Sequence, residues 1–234
     1  MANLINIQGF NKLTLLDYPG KVACTVFTGG CDLRCPFCHN SQLVLHPSFS
    51  PIDEEEVFSL LRRRRGVLDG VAITGGEPLL HPGIADFIKE IRKIGDFGIK
   101  LDTNGTHPDR LRALLDAGLV DYVAMDIKNS PEKYGVTVGI PDLDVTPILA
   151  SAALLMEGKV PYEFRTTAVA EFHDEESFVG IGKWIRGAER YFIQNFVDSG
   201  ALLNPDTHGF DENEMKHFKD VVKPYVPSVA LRGV

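Results

Sequence analysis

Three of the four cysteines in this 234-residue chain fall within eight positions, as Cys31, Cys35 and Cys38. The spacing C-x3-C-x2-C lets a single loop wrap a metal centre. Thiolates are soft ligands, suited to zinc or to an iron–sulfur cluster. The count is informative. A closed structural zinc site takes four protein ligands, and so does a cluster ligated wholly by protein. The fourth thiol, Cys24, sits in the strand-like run Val22-Ala-Cys-Thr-Val-Phe27, where it reads as a small core residue. The pattern predicts a three-cysteine centre with one coordination position open to something that is not protein. His39 adjoins the last cysteine, but the seven histidines show no metal-ligand spacing.

These residues need a scaffold, and apolar β-rich runs alternate with amphipathic stretches along the chain. Strands are predicted at 21–28, 70–74, 98–102, 121–125, 162–168 and 190–195. The first helix is expected from Ser50-Pro51, with Ser50 as cap, Pro51 in the first turn and acids at 53–56. It ends in Arg62 to Arg65, a run read as a solvated C-terminus favoured by the helix dipole. Later helices are expected at 84–94, 108–118, 146–158, 174–185 and 211–222. Six strands alternating with helices predict an α/β fold with right-handed crossovers. The expected form is an open partial TIM-type (β/α)6 barrel with parallel strands, with a flat doubly wound sheet as the alternative. One domain is expected over 1–234, with a core at about 20–196 and a C-terminal helix and tail at 205–234.

In such folds chemistry gathers at the C-terminal ends of the strands. Strand one leads into the cysteines. Strand two runs into Thr74-Gly75-Gly76-Glu77-Pro78, strand three into Asp102-Thr103-Asn104-Gly105, and strand four into Asp126-Ile127-Lys128. Strand five carries Arg165 and Thr167, and strand six ends in Gln194-Asn195. Singly, each has a plain explanation as a turn, a helix entry or a rim ion pair. Together they predict one mouth lined by thiols, carboxylates and cations. Asp17-Tyr18-Pro19-Gly20, before strand one, reads as a turn, and Met125 as core.

Bulk properties bound the function class. A net charge of −8 argues against general nucleic-acid binding, which needs a basic face. No run of 18 apolar residues suggests a membrane span. Residues 1–8 lack the basic and apolar regions of a signal peptide, so a cytoplasmic location with reduced or metal-bound thiols is expected.

The C-x3-C-x2-C loop, with Phe37 before its last cysteine, and the Gly75-Gly76-Glu77-Pro78 exit together resemble the radical S-adenosylmethionine (SAM) superfamily. Four further segments narrow the likeness: Leu16 to Lys21, Cys38-His39-Asn40, Leu101 to Gly105, and Met125 to Lys128. They resemble the activating enzymes of glycyl-radical enzymes, nearest those that serve anaerobic ribonucleoside-triphosphate reductase. The likeness spans roughly residues 8–196.

This resemblance implies a [4Fe-4S] cluster on Cys31, Cys35 and Cys38, with SAM chelated to the open iron. It implies reductive cleavage of SAM to a 5′-deoxyadenosyl radical, which takes hydrogen from a glycine of a partner enzyme. Gly75, Gly76 and Glu77 would contact the methionyl amino end, and Phe37 and Asn40 the adenine. Asp126, Lys128 and Arg165 would face the methionyl or ribose part, and Asp102 lies in the same cofactor-binding set. By likeness to the pyruvate formate-lyase activator, Asp102, Thr103 and Asp126 would hold a monovalent cation, helped by a carbonyl near Ala124. That activator has a histidine at the sixth strand exit, where this chain offers Gln194 and Asn195. The implied partners are a glycyl-radical enzyme and a low-potential donor such as flavodoxin or ferredoxin. Two other readings share some of these residues: a radical SAM enzyme acting on a small molecule, and a non-catalytic zinc or electron-transfer module.

Overall fold

The computed structural model describes residues 3–45, 51–198, 200, 202–204 and 206–233. It contains one eight-stranded sheet. The strands are β1 (Ile7–Thr14), β2 (Ala23–Thr28), β3 (Gly70–Gly75), β4 (Gly98–Thr103), β5 (Tyr122–Asp126), β6 (Tyr162–Ala168), β7 (Tyr191–Asn195) and β8 (Ala230–Arg232). The helices are α1 (Ser41–Leu45), α2 (Glu54–Arg63), α3 (Ile84–Ile94), α4 (Pro108–Asp116), α5 (Tyr134–Thr137), α6 (Thr146–Met156), α7 (Glu175–Trp184) and α8 (Glu212–Val222).

The strands lie in strict chain order, β1 to β8. From β2 onward every neighbouring pair is parallel, while β1 runs antiparallel to β2. A parallel sheet that always steps the same way, with right-handed crossovers, puts its helices on one face. Such a sheet curls toward a barrel, and this one stays open because β1 and β8 end it unpaired with each other.

Period-two alternation divides the two faces. Val26, Ile73, Leu101, Met125, Phe164 and Ile193 are fully buried beneath the helices. Phe87, Ile88 and Ile91 of α3 and Leu111 of α4 meet them at helical spacing, also fully buried. Each such side chain stabilises the fold by roughly 1.5–3 kcal/mol relative to exposure. The inner face is different. It carries Thr25, Ala72, Lys100, Ala124 and Glu163, which are small or polar. The inner face is therefore left for function, and the core lies outside it.

All six expected strands are present within two residues of their predicted ends. The sheet has eight strands because two edge strands escaped the pattern. The β1 sequence IQGFNKLT mixes glycine, lysine and asparagine into its alternation, and β8 has only three residues. Both lie outside the core expected at 20–196. The first long helix also starts later than expected. Asp53 is its cap, its carboxylate accepting the Glu55 N–H at 2.9 Å, so Pro51 precedes the helix. Ser50 lies outside the described residues.

Candidate active site

The loop after β2 carries the cysteines, and it is fastened on several sides. Gly30 N–H donates to Leu43 O at 2.8 Å, and Arg34 N–H to Val138 O at 3.0 Å. Asn204 N–H reaches Pro36 O at 2.9 Å, and Cys38 N–H closes a turn onto Cys35 O at 3.1 Å. Leu33 and Phe37 are buried, and the Phe37 ring packs on Phe172 with centroids 5.7 Å apart. The loop is thus pinned by its apolar residues, and its thiols are directed to one side.

Cys31, Cys35 and Cys38 open on a cavity of about 230 Å3. The same cavity is lined by Phe37 and Asn40 from the loop, and by Gly75 and Gly76 from the β3 exit. Asp102, Thr103 and Asn104 come from β4, Asp126 and Lys128 from β5, and Arg165 from β6. Six consecutive strands therefore contribute to one mouth, since Gln194 of β7 lines it too. Burial pushes the Cys31 thiol up to about 12 and the Cys35 thiol to about 11. A metal bound there must displace those protons.

The β3 exit brings bare backbone to the cavity. Gly75 has φ +117°, a region that side chains other than glycine rarely adopt. At Gly76 a Cβ would fall 1.9 Å from Gly30 O. Gly76 N–H donates to Thr28 O and Glu77 N–H to Gly30 O, each at 2.8 Å. The Asn40 amide donates to Gly75 O at 2.9 Å, joining the cysteine loop to this exit.

Glu77 differs from expectation. Its carboxylate is fully buried and does not line the cavity. It accepts Leu79 N–H at 2.9 Å, the Thr103 hydroxyl at 2.9 Å and Asn104 N–H at 2.7 Å. These three hydrogen bonds tie the β3 exit to the β4 exit, and the side chain is turned away from the cavity. Desolvation outweighs these three hydrogen bonds and raises its carboxyl to about 7.

Charge on the far wall is balanced internally. Arg165 donates to Asp126 at 3.0 Å and sits 3.4 Å from Asp102. Lys128 donates to Asp126 at 2.9 Å, and Lys100 pairs with Asp102. Although burial opposes it, the Arg165 and Lys128 charges hold the Asp126 carboxyl well below the usual carboxylate range. Asp126 in turn holds the Lys128 ammonium above its ordinary value against the effect of burial. Asp126, Lys128 and Arg165 stay charged across the physiological range.

The same pairing argues against the expected monovalent cation. Asp102 and Asp126 are already neutralised by three protein cations, and Thr103 Oγ1 is turned to Glu77. Among the described residues, no three His, Cys, Asp or Glu side chains gather around one ion. For the cysteines this matters differently. A single zinc needs its ligands around one point, whereas a cluster takes each thiolate on a different iron. Three soft thiol donors lining one cavity are a donor set that suits a cluster taking one thiolate per iron.

At the β7 exit the two candidate replacements divide. Gln194 faces the cavity and donates to Thr167 Oγ1 at 3.2 Å. Asn195 turns away, donating to Phe210 O at 2.7 Å and accepting Phe210 N–H at 2.9 Å. His39 stacks on Phe196 at 5.3 Å and reaches Val197 O at 2.9 Å, fastening the loop to β7. Asp17 to Gly20 lie at the opposite end of the sheet. Tyr18 is buried there against Gly70 and Gly98, where β3 and β4 begin, and Asp17 accepts the Thr25 hydroxyl. They cannot face the mouth. Cys24 and Met125 are fully buried core residues, as read from the sequence. Asn104 lines the cavity without having been assigned a role; its place in Asp102-Thr103-Asn104-Gly105 was the only signal.

Residues 25–177 match the Radical SAM superfamily. A Methanocaldococcus jannaschii protein, provisionally named a glycyl-radical enzyme activating enzyme, is 32% identical over 97% of this chain and 96% of its own length. This chain belongs to the radical SAM superfamily. Membership implies a [4Fe-4S] cluster and SAM. The pyruvate formate-lyase-activating enzyme of Clostridium pasteurianum is 31% identical over 53% of this chain and 52% of its own. The GTP 3′,8-cyclase of Aquifex aeolicus is 35% identical over 52% of this chain and 39% of its own. Among solved structures, Streptococcus suis SuiB bound to S-adenosylmethionine superposes with a TM-score of 0.68 at 15% identity. It covers 87% of this chain and 48% of its own, which establishes the shared partial-barrel fold. No helix among the described residues is long and apolar enough to cross a membrane.

Proposed function

We propose that this radical SAM enzyme installs a glycyl radical on a partner enzyme, in the manner of an anaerobic ribonucleoside-triphosphate reductase activator. The observation that carries the catalytic half is the shared cavity. Three thiols, the exposed Gly75–Gly76 backbone and the Asp126–Lys128–Arg165 charges all open on it. The partner half rests on the relative matched end to end, named for glycyl-radical enzyme activation. The cyclase relatives, which would favour a small-molecule substrate, match 52–82% of this chain but only 39–66% of their own length.

In this reading Cys31, Cys35 and Cys38 hold the cluster. When bound, the cluster and SAM supply an electron and a 5′-deoxyadenosyl radical. The chain's own residues bind and orient. The Gly75–Gly76 backbone receives the methionyl amino end, because no side chain intervenes there. Lys128 and Arg165, fixed by Asp126, face the carboxylate and ribose. Phe37 and Asn40 flank the adenine, and Gln194 takes the place of the activator's histidine. The buried Leu33 and Phe37 give the loop an apolar footing beneath the thiols. The open edge between β1 and β8 leaves room for a partner's glycine segment to reach the inner face. A flavodoxin or ferredoxin is the fitting donor class.

The test is direct. Reduced, iron-loaded protein mixed with SAM and an anaerobic ribonucleotide reductase is expected to give a doublet glycyl-radical signal by electron paramagnetic resonance. Ala at Cys31, Cys35 or Cys38 should abolish both the signal and SAM cleavage, whereas Cys24→Ala should retain them. SAM cleavage without a radical on any glycyl-radical enzyme of the same cell would favour the small-molecule reading.

A further inference from the structure

We infer that Asn104 is a positioning residue for the metal centre: its side-chain amide donates a hydrogen bond to the Cys31 sulfur and sets the cluster's reduction potential. The inference rests on the reading of Cys31 as a cluster ligand. Asn104 Nδ2 lies 3.5 Å from Cys31 Sγ, and Leu33 N–H points to the same sulfur at 3.4 Å. Neither Cys35 nor Cys38 receives a side-chain hydrogen bond on sulfur among the described residues. One of the three thiols is therefore singled out by two donors.

The orientation of the amide follows from its other partners. An Asn side chain has one accepting end and one donating end, and its surroundings decide which way it points. Asn104 Oδ1 accepts Thr106 N–H at 2.9 Å and the Thr106 hydroxyl at 2.7 Å. Two donors on one side force the carbonyl there and leave the NH2 facing the sulfur. The backbone is held as well, since Asn104 N–H donates to the buried Glu77 carboxylate at 2.7 Å. Asn104 itself is 6% exposed. Such a bond is costly to place by chance and is sheltered from competing water.

Hydrogen bonds to cluster sulfurs are among the factors that set iron–sulfur potentials. An N–H directed at a thiolate withdraws charge from it, which favours the reduced, more negative cluster. Removing the donor should make the cluster harder to reduce. Carrying a carboxylate in its place should do so more strongly, because a negative oxygen would then face a negative sulfur.

The experiment is a redox titration of the iron-loaded protein without SAM, followed by electron paramagnetic resonance of the reduced cluster. Asn104→Ala is expected to shift the midpoint to a more negative value, and Asn104→Asp further in the same direction. Thr106→Val keeps the amide and the backbone donor at this position but removes the hydroxyl, one of the two groups that hold the amide carbonyl, and should give a smaller negative shift. It also covers the case in which Asn104→Ala fails to fold. Iron content near that of the wild type, with an unshifted midpoint in both Asn104→Ala and Thr106→Val, would overturn the proposal. Cys31→Ala tests the underlying ligand assignment separately. If that variant kept a full cluster, the reading of Cys31 would fail whatever Asn104 did.

Discussion

Glu77 shows how a residue can be named by a motif and yet work one step away from the ligand. Its position beside Gly75 and Gly76 suggests contact with a bound amino group, but its carboxylate is spent on Leu79, Thr103 and Asn104. It is a strut between two strand exits. Because burial raises its carboxyl to about 7, the folded state keeps a proton that the unfolded chain releases above about 4.5. The folded state binds more protons across that window, so its stability falls as pH rises from about 4.5 to 7. Glu77→Gln cannot titrate and should flatten this dependence. It should also cost about 1–3 kcal/mol, because the new amide points a donor at a donor. Urea unfolding at pH 5 and pH 7.5 would measure both, with the larger loss at pH 5. An equal slope in the two proteins would exclude Glu77 as the titrating group.

At the scale of elements, the β3 exit and the cysteine loop are one unit. Gly76 passes so close to Gly30 that a Cβ would lie 1.9 Å from its carbonyl oxygen. Backbone cannot yield as a flexible side chain can, so Gly76→Ala must displace the loop that carries the thiols. The expected result is a stability loss of about 1–3 kcal/mol, typical of overpacking, together with reduced iron incorporation. Thermal unfolding and iron analysis of the reconstituted protein would read the two effects. A Gly76→Ala protein with wild-type iron content would show that the two segments move independently. Two bonds cross-link the same unit, from the Asn40 amide to Gly75 O and from Glu77 N–H to Gly30 O. The stacked pair His39–Phe196 is a simpler device that fastens the end of the loop.

For the whole molecule, the open sheet has a consequence at its last strand. Arg232 of β8 makes two hydrogen bonds to Glu163, at 2.8 and 2.9 Å, and its guanidinium lies 3.4 Å above the Phe192 ring. Glu163 is buried on the inner face and also accepts the Tyr122 hydroxyl at 2.8 Å. Its pairing lowers the carboxyl despite burial, so the benefit is present above pH 4.5 and is lost as pH falls below it. Arg232→Leu should leave a buried carboxylate with one partner fewer. The cost expected is about 1–3 kcal/mol at pH 7, below that of a fully buried pair because the arginine is partly exposed. The double variant Arg232→Leu with Glu163→Gln should recover part of it. Denaturant titrations of Arg232→Leu, Glu163→Gln and the double variant would test this, and no loss in Arg232→Leu would show that its pairing with Glu163 contributes little to holding β8.

Residue order alone determined a great deal here. The local spacing of Cys31, Cys35 and Cys38, the Gly75–Gly76 pair and the six central strands were all legible, because each is a short-range pattern. A loop ligand set, a glycine turn and a period of two are written in neighbouring residues. The edge strands were not, since β1 breaks its alternation with polar residues and β8 is too short to show one. The roles of side chains at the mouth were legible only in part. Asp102 and Asp126 are cation ligands by resemblance alone, and the fold pairs them with Lys100, Lys128 and Arg165 from β4, the β5 exit and β6. Asp17 to Gly20 read as a turn, and the antiparallel pairing of β1 with β2 decided that this turn lies at the end of the sheet away from the mouth. Glu77 and Asn104 exchanged importance for the same reason. Which atom a buried donor or carboxylate serves depends on partners brought together by strand register, and register is a property of the folded sheet.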